Sequence, residues 1–297
     1  MYHIPVLLPE CMEGLNLKPD GIYVDVTFGG GGHSREILTK LNENGRLLAF
    51  DQDDDALQNS LDDPRFTLIH NNFRHLKRCL RAEGIRQVDG ILADLGISSH
   101  QIDVPERGFS FRFDARLDMR MNSESKLTAA DIINTYSPER LQQILSEYGE
   151  VRNAKTLTQH IVQLRETRPI RTIDDFVGLI EPMIWGIRPK YLAQLFQALR
   201  IEVNDEIGAL QDFLTDAVQV LKPEGRLVVM SYHSLEDRPV KNFMKHAAFT
   251  DEPLRDEFGA ISRPFKLITK KPIEASYAET KQNPRARSAK LRVAERI

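Results

Sequence analysis

Cysteine is nearly absent: Cys11 and Cys79 are the only two in 297 residues, and they form neither a C-x-x-C pair nor a cluster with histidine. Neither a disulfide framework nor a cysteine-built zinc site is supported, no metal is expected, and both thiols read as buried small apolar groups. Long apolar runs are missing too. None approaches the roughly 20 residues of a membrane span, and residues 1–10 lack the charged-then-apolar layout of a signal peptide, so the expectation is a cytoplasmic protein with no membrane partner. Neither sign of charge dominates: 40 Lys and Arg stand against 43 Asp and Glu, a net of −3 that does not announce a nucleic-acid binder. With 41% hydrophobic and 28% charged residues, the chain is neither disordered nor fibrous, and its length allows two domains or one larger α/β unit.

The even balance conceals an asymmetry. Residues 263–297 carry ten Lys or Arg and three Glu, a net of +7, so residues 1–262 carry −10. A segregated basic segment suits an anionic partner such as RNA; the competing reading is a solvated surface whose residues 289–293 pack an edge strand.

Residues 22–27 (IYVDVT), 46–50 (RLLAF), 66–70 (FTLIH) and 88–95 (VDGILADL) read as apolar, parallel-sheet strands. Helical stretches at 34–41, 54–61 and 74–83 separate them, which makes the series a doubly wound α/β sheet. The pattern then changes. Residues 103–124 read as an ordered connecting loop whose aromatics Phe109, Phe111 and Phe113 need burial, and 125–203 as an inserted all-helical domain. Apolar i, i+3, i+4, i+7 spacing recurs there, Ser137-Pro138 is an N-cap with proline at the first helical position, and Thr172 with Asp175 forms a capping-box pattern. A helix at 204–221, stopped by Pro223 and Gly225, leads back to α/β character, with a strand at 226–232, a helix at 235–247 and late strands at 265–269 and 290–294. The sheet domain therefore comprises 1–102 and 204–297.

Strand one ends at Asp25 and runs into Thr27-Phe28-Gly29-Gly30-Gly31-Gly32-His33, with Ser34 opening a helix. Glycines let backbone approach a ligand closely, and a helix N-terminus offers N–H donors, so this is a nucleotide loop. It is not the dinucleotide G-x-G-x-x-G, whose third glycine would fall on Ser34 or Arg35, and a nicotinamide dehydrogenase is correspondingly weak. Asp51 ends strand two, where an acid accepts hydrogen bonds from ribose hydroxyls; a turn or N-cap aspartate is the plainer alternative. Phe73 follows strand three, able to stack on adenine or simply to pack in the core, and Asp94 ends strand four.

Asp-x-Thr-x-Gly-x-Gly followed by an acid ending strand two resembles the S-adenosylmethionine motifs of class I methyltransferases, a Rossmann-like fold. The resemblance narrows over residues 3–10 (HIPVLLPE), 23–33 (YVDVTFGGGGH), 94–121 (DLGISSHQIDVPERGFSFRFDARLDMRM), 196–206 (FQALRIEVNDE), 231–241 (SYHSLEDRPVK) and 283–296 (NPRARSAKLRVAER). These look like the RsmH (MraW) family of small-subunit ribosomal RNA cytosine-N4 methyltransferases. The resemblance implies cofactor contacts from Gly31, Gly32, His33, Asp51, Phe73, Asp94 and Gln101. It also implies methylation of a cytosine N4 amine in the decoding-centre P-site region of 16S RNA, with ribosomal RNA or the 30S particle as partner, and it allows a homodimer. One departure stands out: the (D/N/S)PP(Y/F) motif of DNA amino-methyltransferases is replaced by Asp94-Leu95-Gly96-Ile97.

The cytosine N4 lone pair is delocalised into the ring, so in-line placement matters more than a strong base. Asp94 and nearby carbonyls could accept an N4–H bond, and the base must leave its stack. His233 follows another apolar strand and faces the same rim, as a second catalytic candidate or a capping histidine. Arg238, Lys241, Asn283, Arg285 and Arg287 are candidate RNA contacts. The competing functions are a DNA or protein methyltransferase of the same fold and an RNA-binding ribosome-assembly factor without catalysis.

Overall fold

The computed structural model describes residues 5–255, 257–261 and 263–297; positions 1–4, 256 and 262 lie outside the described residues, among them the first two of the 3–10 stretch. The chain forms two compact units, one of Met1–Gly96 with Ile207–Ile297 and one of Ile97–Glu206.

In the first unit the apolar runs become β1 (Ile22–Asp25), β2 (Arg46–Asp51), β3 (Phe66–His70), β4 (Val88–Asp94) and β5 (Leu221–Ser231), followed by β6 (Phe265–Leu267), β7 (Ile273–Glu274) and β8 (Lys290–Arg296). The sheet order is β3-β2-β1-β4-β5-β8-β6, with β7 also on β8; β1 to β5 are parallel, and β8 runs antiparallel to its neighbours. The helices are α1 (Leu8–Leu15), α2 (Gly32–Lys40), α3 (Asp54–Leu57) and α4 (Leu76–Ala82), and, after the second unit, α11 (Glu206–Val220), α12 (Ser234–His246) and α13 (Tyr277–Gln282). Strand residues alternate between two cores, which is why the runs are apolar throughout. Val24, Leu48, Phe50 and Val229 face one core with Leu80, Phe213 and Phe243, whereas Tyr23, Leu47, Leu92 and Val228 face the other with Cys11, Leu15 and Ile37.

The second unit holds α5 (Ser99–Asp103), α6 (Ala129–Thr135), α7 (Pro138–Glu147), α8 (Ala154–Arg165), α9 (Ile173–Ile180) and α10 (Arg188–Asn204) around a core of its own. Ser137 caps α7 ahead of Pro138, and Thr172 with Asp175 closes a capping box on α9. Residues 103–124 lie within this unit. Phe109 is buried and Phe111 meets Phe196 edge-on, but Phe113 is half exposed, so only two of the three aromatics are sheltered as expected.

Three further expectations need correction. The helix at 204–221 begins at Glu206, because Asp205 adopts φ 46° and breaks it from α10. Pro223 and Gly225 do not precede the next strand but lie inside β5, where Glu224 takes φ 64° and the pairing with β4 shifts register. Nor are residues 289–293 at an edge: β8 is interior, and Leu291 and Val293 are buried by β5 on one side and β6 and β7 on the other.

Candidate active site

Because β1 to β5 run in one direction, their carboxyl ends share one rim. Asp25 pairs with Ala49 on β2 and Leu92 on β4, so Asp51 and Asp94 each stand two residues beyond it on the flanking strands. Two strand spacings, about 10 Å, separate their backbones. The loop after β1 is tied to both sides of this gap. Thr27 Oγ1 accepts from the Asp94 N–H at 2.7 Å, and the Gly29 N–H donates to Asp51 Oδ2 at 2.8 Å.

Three of the four glycines have separate reasons. Gly29 and Gly31 have φ 51° and 73°, and a Cβ at Gly31 would lie 2.9 Å from the Phe28 ring. At Gly32 a Cβ would come within 2.3 Å of Pro5 Cγ, whereas nothing lies within 4 Å of one at Gly29. The backbone there borders open space. Helix α2 starts at Gly32 without a side-chain cap, so the first-turn N–H groups remain for a ligand or water.

Three carboxylates crowd this rim. Asp25 is buried, accepts from Ser34 Oγ at 2.7 Å and is pushed up mainly by burial. Asp51 rises to about 6, chiefly by burial, against the opposing hydrogen bonds from the Asp53 and Gly29 N–H groups. Asp94 also rises to about 6 by burial, with the nearby Asp25 charge adding to the shift and His33 and Tyr232 opposing it. Such a rim favours a cationic ligand.

Two side chains adjoin the Asp94 carboxylate. Tyr232, just past β5, donates its hydroxyl to Oδ1 at 2.7 Å, and His33 Nδ1 lies 4.0 Å from Oδ2. His33 Nε2 meets the Val6 carbonyl at 3.1 Å. That oxygen can only accept, so Nε2 carries a hydrogen. The next residue, Leu7, sits at φ 50° with its N–H donating to Glu279 Oε1 of α13 at 2.7 Å. Tyr232, Thr27 and Glu279 are not among the site candidates that the sequence offers. An aromatic ending β5 beside the acid ending β4 was the available signal for Tyr232; Glu279 lies 272 residues from Leu7 and offered none.

The remaining candidates are distributed as follows. Phe73 packs edge-on against Phe213 with ring centres 5.6 Å apart, at the margin of the core. Gln101 belongs to the second unit, buried in a capping box with Ser98. His233 precedes α12, with Nε2 3.1 Å from Glu236 Oε1; Glu236 Oε2 also accepts the Tyr232 N–H at 2.9 Å. Arg238 and Lys241 are exposed on α12. Asn283 is buried and its side chain accepts the Arg285 N–H at 3.2 Å; Arg285 is half-buried and Arg287 exposed.

A parallel β3-β2-β1-β4-β5 sheet with an antiparallel strand beyond β5, a glycine loop after β1 and acids ending β2 and β4 define a class I methyltransferase fold. Comparison with known proteins then gives the particular kind. The chain belongs to the MraW methylase family, which matches residues 1–297. It is similar to Ribosomal RNA small subunit methyltransferase H of Bacteroides thetaiotaomicron, at 56% identity over 296 residues covering 99% of this chain and 97% of that one. The protein of the same name from Cytophaga hutchinsonii is 56% identical over 299 residues, covering 100% of both chains.

Proposed function

We propose that this protein transfers a methyl group from S-adenosylmethionine to the N4 amine of a cytosine in small-subunit ribosomal RNA, in the decoding-centre P-site region of 16S RNA. What carries the reading is Asp94: a carboxylate at the end of β4, a quarter exposed, with one oxygen engaged by Tyr232 and the other directed to the His33 side beside the glycine loop. The relatives' names support the substrate class, and a cytoplasmic location follows from it.

The residues present suit the cofactor. Three rim carboxylates, each with its ionisation pushed upward, favour a sulfonium cation, the uncapped α2 N-terminus suits a carboxylate, and Asp51 suits ribose hydroxyls. Gly31, Gly32, His33 and Asp51 would hold it, with Phe73 and Gln101 carried over by family resemblance. When bound, S-adenosylmethionine supplies an electrophilic methyl on sulfur.

The protein's own residues then position the acceptor and handle its proton. Asp94 accepts an N4–H bond, which orients the amine and stabilises the positive charge that grows on nitrogen; the same oxygen receives the proton that nitrogen sheds. The Tyr232 hydroxyl holds that carboxylate in place. Arg238, Lys241 and Arg287 are read as backbone contacts, Asn283 and Arg285 as shaping the segment that presents Arg287. Incubation with S-adenosylmethionine and small-subunit RNA, followed by nucleoside mass spectrometry mapped to position, tests the reading: N4-methylcytidine is expected. Methyl found only on DNA, protein or another base overturns it.

Two outcomes follow for single residues. Asp51→Ala should weaken S-adenosylmethionine binding by on the order of 1.5–3 kcal/mol in calorimetric titration; unchanged affinity in a folded variant removes the ribose role. Tyr232→Phe deletes a hydrogen bond that favours the ionised form of Asp94. Methyl transfer should fall as pH drops through about 6 in the wild type, where Asp94 takes up a proton, and that acidic limb should move to higher pH in the variant. Superimposable pH–rate profiles would count against Asp94 as the acceptor.

A further inference from the structure

The segment joining β7 to β8 leads directly to the functional rim. Antiparallel pairing sets Ser231, at the carboxyl end of β5, opposite Lys290, and Glu274 of β7 also opposite Lys290. Everything between Glu274 and Lys290 therefore lies at the end of the sheet where Tyr232 meets Asp94. Helix α13 is fixed there by Glu279, which holds the Leu7 N–H while the adjoining Val6 carbonyl holds His33.

On this anchored helix Tyr277 is 85% exposed. That is an unusual place for a ring with a large apolar face. Lys281 stands four residues on, hence on the same side of the helix, and is exposed; the turn Pro284–Ser288 packs on α13 and carries exposed Arg287. Among the described residues neither Lys281 nor Arg287 has an acidic partner. Elsewhere in the segment, Arg292 and Lys290 adjoin Asp237, Lys266 adjoins Glu295, and Arg296 donates to backbone carbonyls.

We infer that Tyr277 is a stacking platform for an unpaired base next to the target nucleotide, with Lys281 and Arg287 on the flanking phosphates. An exposed aromatic set among unpaired cations, inside a segment of net +7, matches the way single-stranded nucleic acid is held: bases stack and phosphates are neutralised. An apolar protein partner would not require the cations. The inference rests on the RNA-substrate reading above and names the part of the surface that serves it.

The test measures affinity of the full-length protein for a short fluorescein-labelled, cytidine-rich RNA strand and for transcribed small-subunit RNA, with S-adenosylmethionine affinity and thermal melting as controls. Tyr277→Ala should weaken RNA binding about tenfold, Tyr277→Trp and Tyr277→Phe should stay within about twofold of wild type, and Tyr277→Leu should resemble the alanine variant. Both controls should be unmoved, since the side chain is exposed and distant in sequence from the cofactor residues. Lys281→Ala with Arg287→Ala should flatten the plot of log affinity against log salt by about 0.7 for each phosphate that is no longer neutralised. Wild-type affinity retained by Tyr277→Ala or Tyr277→Leu overturns the stacking role, the latter in favour of a plain apolar contact. If the wild-type protein itself binds neither RNA, the failure lies with the RNA-substrate reading.

Discussion

Asp94→Asn should slow methyl transfer about a hundredfold or more and at the same time stabilise the fold. The two halves have one cause. The folded protein holds the Asp94 carboxyl at about 6 against an ordinary 3.8, so its proton is bound more tightly in the folded than in the unfolded state. Stability linked to this group is therefore complete below about pH 4 and is lost as pH rises through 6. At pH 7.5 the ionised, largely buried carboxylate costs about 1–3 kcal/mol, the lower part of that range allowing for its quarter exposure. An asparagine removes the charge and keeps the Tyr232 bond, because its oxygen can accept from the same hydroxyl. The amide is a poor proton acceptor, so the rate should drop by about a hundredfold or more. Denaturant unfolding from pH 4 to 8, beside single-turnover methyl transfer, checks both halves: a variant less stable than wild type at pH 7.5 contradicts the burial cost, and a near-normal rate contradicts the acceptor role.

Removing either partner of the Arg292–Asp237 pair should cost about 3–5 kcal/mol. Arg292 on β8 donates Nε and an Nη to the two carboxylate oxygens of Asp237 on α12 at 2.6 and 3.0 Å, and both side chains are almost fully enclosed. Breaking such a pair strands a charge in a low-dielectric interior; Lys290 Nζ, 3.9 Å from Asp237, is too distant and too exposed to replace the fork. The expected signature is non-additivity. Arg292→Met and Asp237→Leu should each be severely destabilising, but the double variant much less so, because two apolar side chains leave no orphan. Additive losses in denaturant unfolding would mean that the pair acts through packing alone. Activity should fall beyond the loss of folded protein, since α12 begins next to Tyr232 and its Glu236 holds the Tyr232 N–H.

How far the sequence reached differs between elements. Strands β1 to β4 were legible because parallel strands covered on both faces are apolar throughout, and the helical insert because its period is helical and its caps are explicit. Ser137-Pro138 and Thr172 with Asp175 did what those residue types do locally. Gly31 and Gly32 were legible for a similar reason: a run of glycines after a strand marks backbone that must turn sharply and leave room.

The failures are equally physical. Pro223 and Gly225 signalled a stop, but β5 absorbs them as an irregularity because its neighbour β4 keeps pairing on either side. Residues 289–293 carried an alternation compatible with an edge; only the sheet order decides that β5 pairs along one side of this stretch and β7 along the other. Asn283 looked like a polar contact for RNA, yet it is buried and bonded within its own turn.

Local chemistry, by itself, determined which side chains could serve: the glycine loop, the acids that end β2 and β4, and a basic segment near the other end of the chain. It could not determine which of them meet. Tyr232 reaches Asp94 across 138 residues, Glu279 grips Leu7 across 272, and Arg292 locks Asp237 across 55. Such pairings leave no periodicity, because a hydrogen bond between distant positions depends on strand order and register rather than on neighbours in sequence. The parallel register that brings Asp51 and Asp94 level above Asp25, and the antiparallel return of β8 that carries Tyr277 to the same rim, exist only once the sheet has closed around β1.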